Sequence, residues 1–313
     1  MEVLHTGAEL PGTLDSVRAG GRSVGLVPTM GALHEGHRSL IASAVAGCDH
    51  VVVTIFVNPL QFGDPEDIEH YPRTLSEDLA VCQAAGVETV LVPSVREMYP
   101  SWPEPPATAV TVRGVSEGWE GTSRPGHFDG VTTVVAKIFT RAGRCRAYFG
   151  EKDFQQLAVV RRMAADLSMP VEIVGCPTVR DPDGLALSSR NVRLSPPERS
   201  AASVLFRALS AGRAAVAGGE RRPAAVSEAM AQVVDDEPLA HLDYAAAVDA
   251  DDLSVPPSLD ETSAVRLLIA ARLGAVRLID NCDAPLSPSS GPGAAAKVID
   301  RKASEREGTC AVG

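Results

Sequence analysis

Residues 51–57 (VVVTIFV) form a continuous run of apolar, mostly β-branched residues that ends at Asn58-Pro59. A run of this kind predicts a strand buried on both faces, as in a parallel sheet that helices cover on both sides. Further short strands and helical patterns alternate along the first half of the chain, with strands over 24–27, 89–92, 147–149 and 171–174, and helices over 37–46, 74–85, 131–141 and 153–167. This alternation predicts βαβ units, and therefore an α/β fold with a Rossmann-like, doubly wound parallel sheet.

The pattern changes after about residue 191. Ala-rich helical stretches are followed by β-rich ones, at 196–217, 223–234, 264–272 and 275–281. We predict a Rossmann-like domain over 1–186 and a smaller C-terminal α+β domain over 187–283. Residues 284–313 are rich in Ser, Pro, Gly and Ala and then in charged residues, so we expect a disordered tail there.

The charge balance restricts the classes of partner. The 313 residues include 29 basic and 40 acidic side chains, which gives a net charge of −11. This argues against nucleic-acid binding, although an anionic substrate needs only local positive charge. No apolar run approaches the roughly 18 residues of a membrane span, and the first ten residues lack a signal-peptide pattern. Six scattered cysteines without a C-x-x-C pair fit a reducing cytoplasm.

The densest polar cluster is PTMGALHEGH (28–37), which lies between the first predicted strand of the alternating pattern and the helix that follows it. Ligands of open α/β sheets bind at this edge, where helix N-termini present free N–H groups to anions. His34, Gly36 and His37 form an H-x-G-H motif, and we interpret the two imidazoles as facing a phosphate chain. Two surface histidines beside a turn glycine remain the alternative for the motif taken alone.

Two more clusters follow strands or loops farther along the chain. Lys152, within Gly150–Asp153, offers a point charge for phosphate, whereas Asp153 has a simpler role as a helix cap. Arg190, within Leu187–Asn191, suits triphosphate oxygens, although Ser-Ser-Arg-Asn is common in loops.

Polar segments at 58–62 and 124–128 are expected at the same sheet edge. The chain shows neither a Ser–His–Asp constellation nor a G-x-x-x-x-G-K-[ST] or G-x-G-x-x-G motif at the strand ends. The residues therefore favour phosphoryl or nucleotidyl transfer that works by positioning and electrostatics.

The H-x-G-H motif resembles that of the nucleotidylyltransferase superfamily. Six motifs in consistent order, over about residues 22 to 283, more closely resemble the pantothenate synthetase family: PTMGALHEGH, FVNPLQF, YPRT, RPGHFDGV, FGEKDFQQL and LSSRN. The resemblance implies that ATP and (R)-pantoate give a pantoyl adenylate and pyrophosphate. β-Alanine then attacks the adenylate to give pantothenate and AMP. It also implies Mg²⁺ accompanying ATP, and a homodimer.

The resemblance further implies site residues. ATP would be contacted by Met30, Gly31, Ala32, Leu33, His34, Glu35, Gly36, His37, Gly150, Glu151, Lys152, Asp153, Val179, Leu187, Ser188, Ser189 and Arg190. Among these we expect His34, His37, Lys152 and Arg190 to act in catalysis, with His37 the family's proton donor. Val179 would reach adenine through its backbone, and Asp153 would lie near the ribose.

The remaining implied contacts concern the other substrates and the metal. Gln61 would bind pantoate and β-alanine, and Gln156 would bind pantoate. Asp78, with Glu77 as a second ligand, is a candidate for holding Mg²⁺, although solvated helix carboxylates are the default.

Two positions depart from the usual family pattern. Leu187 stands where methionine is usual, and this nearly volume-conserving change should preserve the packing against ATP. Phe154 stands where tyrosine is usual, and we expect the lost hydroxyl contact to lie at the periphery.

Two other functions compete with the ligase. A simple nucleotidylyltransferase would share H-x-G-H, but its phosphate-bearing acceptor would need more basic residues than a site with Gln61 and Gln156 offers. A tRNA-binding module descended from a synthetase is disfavoured by the net charge of −11.

Overall fold

The computed structural model describes residues 1–63 and 68–286. The strands are β1 (Glu2–Leu4), β2 (Val24–Thr29), β3 (His50–Ile55), β4 (Thr89–Leu91), β5 (Cys145–Gly150), β6 (Val171–Cys176), β7 (Ala240–Asp249), β8 (Val265–Leu273) and β9 (Val276–Asp283). The α-helices are α1 (Glu9–Ala19), α2 (Glu35–Gly47), α3 (Leu75–Ala84), α4 (Val95–Met98), α5 (Glu120–Ser123), α6 (His127–Ala142), α7 (Phe154–Asp166), α8 (Pro196–Ala201), α9 (Val204–Ala217) and α10 (Pro223–Asp235).

The first six strands form one parallel sheet in the order β1-β4-β3-β2-β5-β6. From β2 the chain winds outward on one side through β3 and β4, beyond which β1 forms the edge, and later on the other side through β5 to the edge strand β6. The order therefore reverses between β2 and β5, and in such sheets this reversal opens a ligand crevice at the carboxyl ends of the strands. The predicted α/β class with a doubly wound parallel sheet is confirmed.

Helices cover both faces of this sheet. Successive residues of a strand point to opposite faces, so a strand that is apolar throughout needs helices on both. Val52 packs into a core with α1, α6 and α7, whereas Val51 and Val53 pack into a second core with α2 and α3. The continuous apolar run that predicted a doubly covered strand is explained by these two cores.

A smaller antiparallel sheet, β7-β8-β9, follows in the chain. Helices α9 and α10 pack on it around a third core. Leu185 already belongs to that core, whereas Leu268 of β8 packs into the core of the large sheet. The smaller part is thus joined to the larger one by apolar packing, and a domain boundary at residue 187 remains a prediction.

Some element boundaries differ from the predicted ones. Strand β2 continues through Pro28, which lacks an N–H, because its ladder with β5 involves only Gly25 and Leu26. The single helix predicted over 196–217 is interrupted at Ala202 and Ser203, between α8 and α9.

The end of the described chain also differs from the expected tail. Ala284 is buried, its N–H bonds the carbonyl of Val265, and Leu286 packs against the third core. Residues 284–286 are therefore docked, and 287–313 lie outside the described residues. Within the described parts of the chain, no helix is both long and apolar enough to cross a membrane.

Candidate active site

The loop after β2 has an unusual backbone that a single carboxylate holds in place. Gly31 and Ala32 both have left-handed backbone conformations, with φ of 84° and 51°. The N–H groups of Ala32 and Leu33 consequently converge on Asp78, donating to Oδ2 at 3.0 Å and Oδ1 at 2.8 Å. A Cβ on residue 31 would lie 2.9 Å from Oδ2 of Asp78, so glycine is required there. Successive N–H groups of this kind form a nest for an anion, which here is Asp78.

This arrangement does not fit the predicted role of Asp78 in holding Mg²⁺. Its side chain is buried, both oxygens already accept backbone N–H groups, and the hydroxyl of Thr74 donates to Oδ1 at 3.3 Å. Glu77 is exposed. Among the residues described, no group of three or more His, Cys, Asp or Glu side chains is placed to hold a metal ion. Asp78 therefore organises the loop.

The H-x-G-H histidines cap the start of α2 reciprocally. Nδ1 of His34 accepts the N–H of Gly36 at 3.1 Å, and Nδ1 of His37 accepts the N–H of His34 at 3.3 Å. The two ring centroids are 4.2 Å apart. Because both Nδ1 atoms accept, the proton of each neutral ring is on Nε2. Both imidazoles thus offer an N–H donor that the helix cap does not use.

Both rings are neutral at pH 7. Burial, together with the neighbouring His34, lowers the pKa of His37 to about 3. Burial and the nearby Lys152 also lower the pKa of His34. The motif therefore supplies preorganised hydrogen-bond donors rather than cations.

The turn after β5 adds a positive charge beside these donors. Lys152 is half-buried, and its Nζ lies 3.3 Å from Oδ1 of Asp153. Both residues line a cleft of about 910 Å³, which Ser188 and Arg190 also line. The structure thus brings together the second and third predicted clusters, from chain segments far apart in the sequence.

A short hairpin places the Leu187–Arg190 segment over the start of α2. The N–H of Leu187 bonds the carbonyl of Val179 at 3.0 Å, and Oγ of Ser188 accepts the N–H of Arg190 at 3.2 Å. A Cβ built on Gly36 would lie 4.0 Å from Cβ of Leu187. Val179, Leu187 and the H-x-G-H loop are therefore neighbours.

Gln61 belongs to a buried polar network next to the β2 loop. Its Oε1 accepts Nδ2 of Asn58 at 3.0 Å, and its Nε2 points to Sδ of Met30 at 3.1 Å. Its carbonyl accepts Nδ1 of His127 at 2.8 Å and Nη2 of Arg124 at 3.3 Å. Because sulfur is a weak acceptor, a ligand oxygen can replace the Met30 contact. Burial lowers the pKa of His127 to about 4, so this ring is neutral as well.

The structure distinguishes the two adjacent glutamines. Gln156 lines a cavity together with Arg124, His127 and Lys152. Gln155 is buried, and its amide bonds only backbone groups at 115, 118 and 120, so it is a structural residue rather than a solvated one.

Phe154 is buried beneath the guanidinium of Arg266, whose Cζ lies 4.0 Å from the ring centroid. The ring packs into the large core, and the expectation that the lost hydroxyl contact lies at the periphery remains a prediction.

Sequence reasoning gave Asn58, Arg124 and His127 no individual roles, yet these three residues hold the backbone and side chain of Gln61. The sequence feature that could have indicated these three residues is their position in polar segments that precede or follow apolar runs. Their mutual contacts join residues far apart in the chain, and no periodicity reports such contacts.

Comparison with known proteins assigns the chain and its fold to a family. The family model described as pantoate-beta-alanine ligase matches residues 2–283. A pantothenate synthetase of Roseiflexus castenholzii is 54% identical over 261 residues, which are 83% of this chain and 92% of the relative. That of Salinispora arenicola is 50% identical over 289 residues, covering 92% and 99%.

Solved structures of two relatives resemble this one. Pantothenate synthetase from Thermus thermophilus has a TM-score of 0.84 and 47% identity, covering 91% of this chain and 99% of that one. Pantoate-beta-alanine ligase from Francisella tularensis, complexed with beta-gamma ATP and beta-alanine, has a TM-score of 0.73 and 31% identity, covering 92% and 100%. The protein whose β2 loop, β5 turn and Leu187–Arg190 segment meet at one sheet edge belongs to the pantoate–β-alanine ligase family, the pantothenate synthetases.

Proposed function

We propose that the ligase reaction of this family, the ATP-dependent condensation of (R)-pantoate with β-alanine to pantothenate, AMP and pyrophosphate, takes place in this chain at the crevice between β2 and β5. The observation that carries this placement is the pair of neutral histidine donors near Lys152, which lines a cleft together with Arg190. Donors and charges of this kind stabilise negative charge that develops on phosphate oxygens.

In the first step a carboxylate oxygen of pantoate attacks the α-phosphorus of ATP, and the bond to pyrophosphate breaks. Nε2–H of His34 and of His37 would donate to phosphate oxygens, while Lys152 and Arg190 would neutralise the charge of the departing pyrophosphate. A substrate carboxylate is itself the nucleophile, so the residues have to align the reactants rather than attack.

In the second step the free amine of β-alanine attacks the acyl carbon of the adenylate, and AMP leaves with the electron pair of the C–O bond. The nitrogen then loses a proton to water, which gives the neutral amide. We propose that Gln61 and Gln156 hold pantoate beside the α-phosphate, and that Gln61 also contacts β-alanine. The exposure of Gln156 to the cavity and the replaceable Met30 contact of Gln61 support these roles.

Three further points are proposals drawn from the family resemblance. A divalent cation, Mg²⁺, would enter with ATP and be held mainly by phosphates and waters, as is common for this ion. The chain would form a homodimer, which sedimentation of the full-length protein would test. Its location would be the cytoplasm, where fractionation of the native cell would find it.

Product analysis tests the reaction directly. The wild-type protein incubated with ATP, Mg²⁺, pantoate and β-alanine should give equal amounts of AMP and pantothenate. When a phosphate-bearing acceptor replaces pantoate, no adenylylated acceptor should form. Formation of that adenylylated acceptor, without formation of pantothenate in the first assay, would support the simple nucleotidylyltransferase.

The order of steps has its own test, the exchange of labelled pyrophosphate into ATP. Exchange should require pantoate and proceed without β-alanine, because the proposed ATP and pantoate contacts do not involve the amine. Exchange that appears only after β-alanine is added would overturn this order. Exchange that needs no pantoate would indicate an adenylated protein.

A further inference from the structure

Strand β9 of the small sheet touches the turn that carries Lys152. The side-chain Nδ2 of Asn281 donates to the carbonyl oxygens of Glu151 at 3.0 Å and of Lys152 at 2.8 Å. Asn281 is only 3% exposed, so these bonds lie away from competing water. One amide group of the small sheet thereby fixes two consecutive peptide groups of the proposed ATP site.

The orientation of that amide is itself determined. Its Oδ1 accepts from the guanidinium of Arg266, with Nε at 2.8 Å. Arg266 is buried, stacks over the ring of Phe154, and its Nη2 lies 3.3 Å from Oε2 of Glu151. Because arginine has no acceptor, the oxygen of Asn281 must face it and the NH₂ must face the turn.

The preceding residue of β9 makes a second connection of the same kind. Asp280 is 4% exposed and accepts Nη2 of Arg180 through Oδ1 at 2.9 Å, while its other oxygen accepts Nη1. Arg180 also donates to the carbonyl of Gly184, within the hairpin that leads to Leu187. Two adjacent residues of one strand therefore hold both the Lys152 turn and the hairpin.

From these contacts we propose that Asn281 is a positioning residue for adenylation, which sets Lys152 at the distance that ATP phosphates require. This inference rests on the proposed role of Lys152. Displacement of a catalytic group by about 1 Å can reduce the rate about 100-fold. An Asn281 variant keeps the ammonium group of Lys152 and loses only the hydrogen bonds that hold the backbone of its turn.

The test is a double-mutant cycle on the full-length protein. Asn281→Asp keeps the oxygen for Arg266 but replaces the donor with a second oxygen facing two carbonyls, and Asn281→Ser serves if that variant folds poorly. Each is made in the wild type and in Lys152→Ala. Cys282→Ala, the next residue on β9, controls for disturbance of the strand. Pyrophosphate exchange, the ATP dissociation constant and the melting temperature are measured for all.

We expect either Asn281 variant to weaken ATP binding or exchange about 10- to 100-fold, with the KM for β-alanine nearly unchanged. In the Lys152→Ala background, adding the Asn281 substitution should weaken ATP binding or exchange by less than a further factor of about three. The ammonium group that Asn281 would position is already absent there. Equal losses in both backgrounds, or none in either, would overturn the inference.

Different results would contradict the proposed ligase function and the inference about Asn281. Wild-type protein that binds ATP but makes no AMP would contradict the proposed function, while the cycle in ATP affinity would still decide whether Asn281 acts through Lys152. A loss in Cys282→Ala as large as in the Asn281 variants would also contradict the inference, since any change in β9 would then suffice.

Discussion

The backbone N–H of His34 donates a hydrogen bond to Nδ1 of His37. This contact closes the first turn of α2, and it also fixes the tautomer of a side chain proposed to act on ATP. One hydrogen bond therefore serves folding and chemistry together: the cap that begins the helix leaves Nε2–H of His37 available as a donor.

Replacing either histidine should remove most of the activity. His34→Ala and His37→Ala are each expected to lower the rate of adenylation about 10²–10³-fold, the usual cost of losing a preorganised donor to developing charge. Steady-state AMP formation and pyrophosphate exchange measure the effect. Arg38→Ala, an exposed position on the same helix, is the matched control and should change little. A folded double His→Ala variant within threefold of wild type would contradict the role of the pair.

Asp78 should stabilise the loop after β2 rather than bind Mg²⁺. Asp78→Asn replaces one acceptor oxygen with a donor that faces the N–H of either Ala32 or Leu33, so that buried N–H loses its partner, at a cost of about 1–3 kcal/mol. We expect a lower melting temperature and a raised KM for ATP. Exposed Glu77→Gln should behave like wild type. Recovery of the Asp78→Asn activity at high Mg²⁺ would instead show that the carboxylate holds the ion.

Stability should fall on acidification because buried histidines are neutral in the folded protein. Burial holds the pKa of His37 at about 3 and that of His127 at about 4, whereas an unfolded histidine titrates near 6.5. Between these values the unfolded chain binds more protons, so the free energy of unfolding decreases as the pH is lowered. In His37→Gln the melting temperature should fall less steeply between pH 6.5 and 4. Parallel curves for variant and wild type would contradict the lowered pKa.

Residues 284–286 should contribute to the stability of the protein, whereas removal of 287–313 should leave it unchanged. A chain ending at Leu286 should keep the wild-type melting temperature and turnover, because residues 287–313 have a composition that offers little to bury. A chain ending at Asp283 loses buried Ala284 and the bond of its N–H to Val265, so its melting temperature should drop by several degrees. Thermal unfolding of both truncations checks this, and equal melting temperatures would show that residues 284–286 contribute nothing.

Much of the fold was predictable because strong local patterns coincide with buried strands. The run at 51–57 corresponds directly to β3, and the glycine and histidines after β2 mark a helix start at a ligand-binding edge. Strand β7 was not predicted, because a register shift between Leu242 and Tyr244 breaks its period-two alternation and alanines weaken its apolar signal. Strand β1 has only three residues, and α1 was not predicted although Leu10, Leu14 and Val17 have helical spacing, because Pro11 and Gly12 in its first turn weaken that signal.

The roles of single side chains were less predictable than their segments. Asp78 resembles an ordinary helix carboxylate in the sequence, and only the fold brings it to the amides of Ala32 and Leu33. Asn281 and Arg266 reach the Lys152 turn across more than a hundred residues of sequence. Contacts of this kind depend on how sheets pack, which no local pattern encodes.

The strand order also has a consequence for synthesis of the chain. β2 lies between β3 and β5 in the finished sheet, yet β5 begins only at Cys145. While the nascent chain lacks β5, one edge of β2 exposes unpaired backbone groups among apolar side chains, a template for wrong pairing. Pairing over so long a separation carries a large loop-closure entropy and is slow. The side of β2 next to the proposed ATP crevice therefore stays unpaired until residues 145–150 have been made.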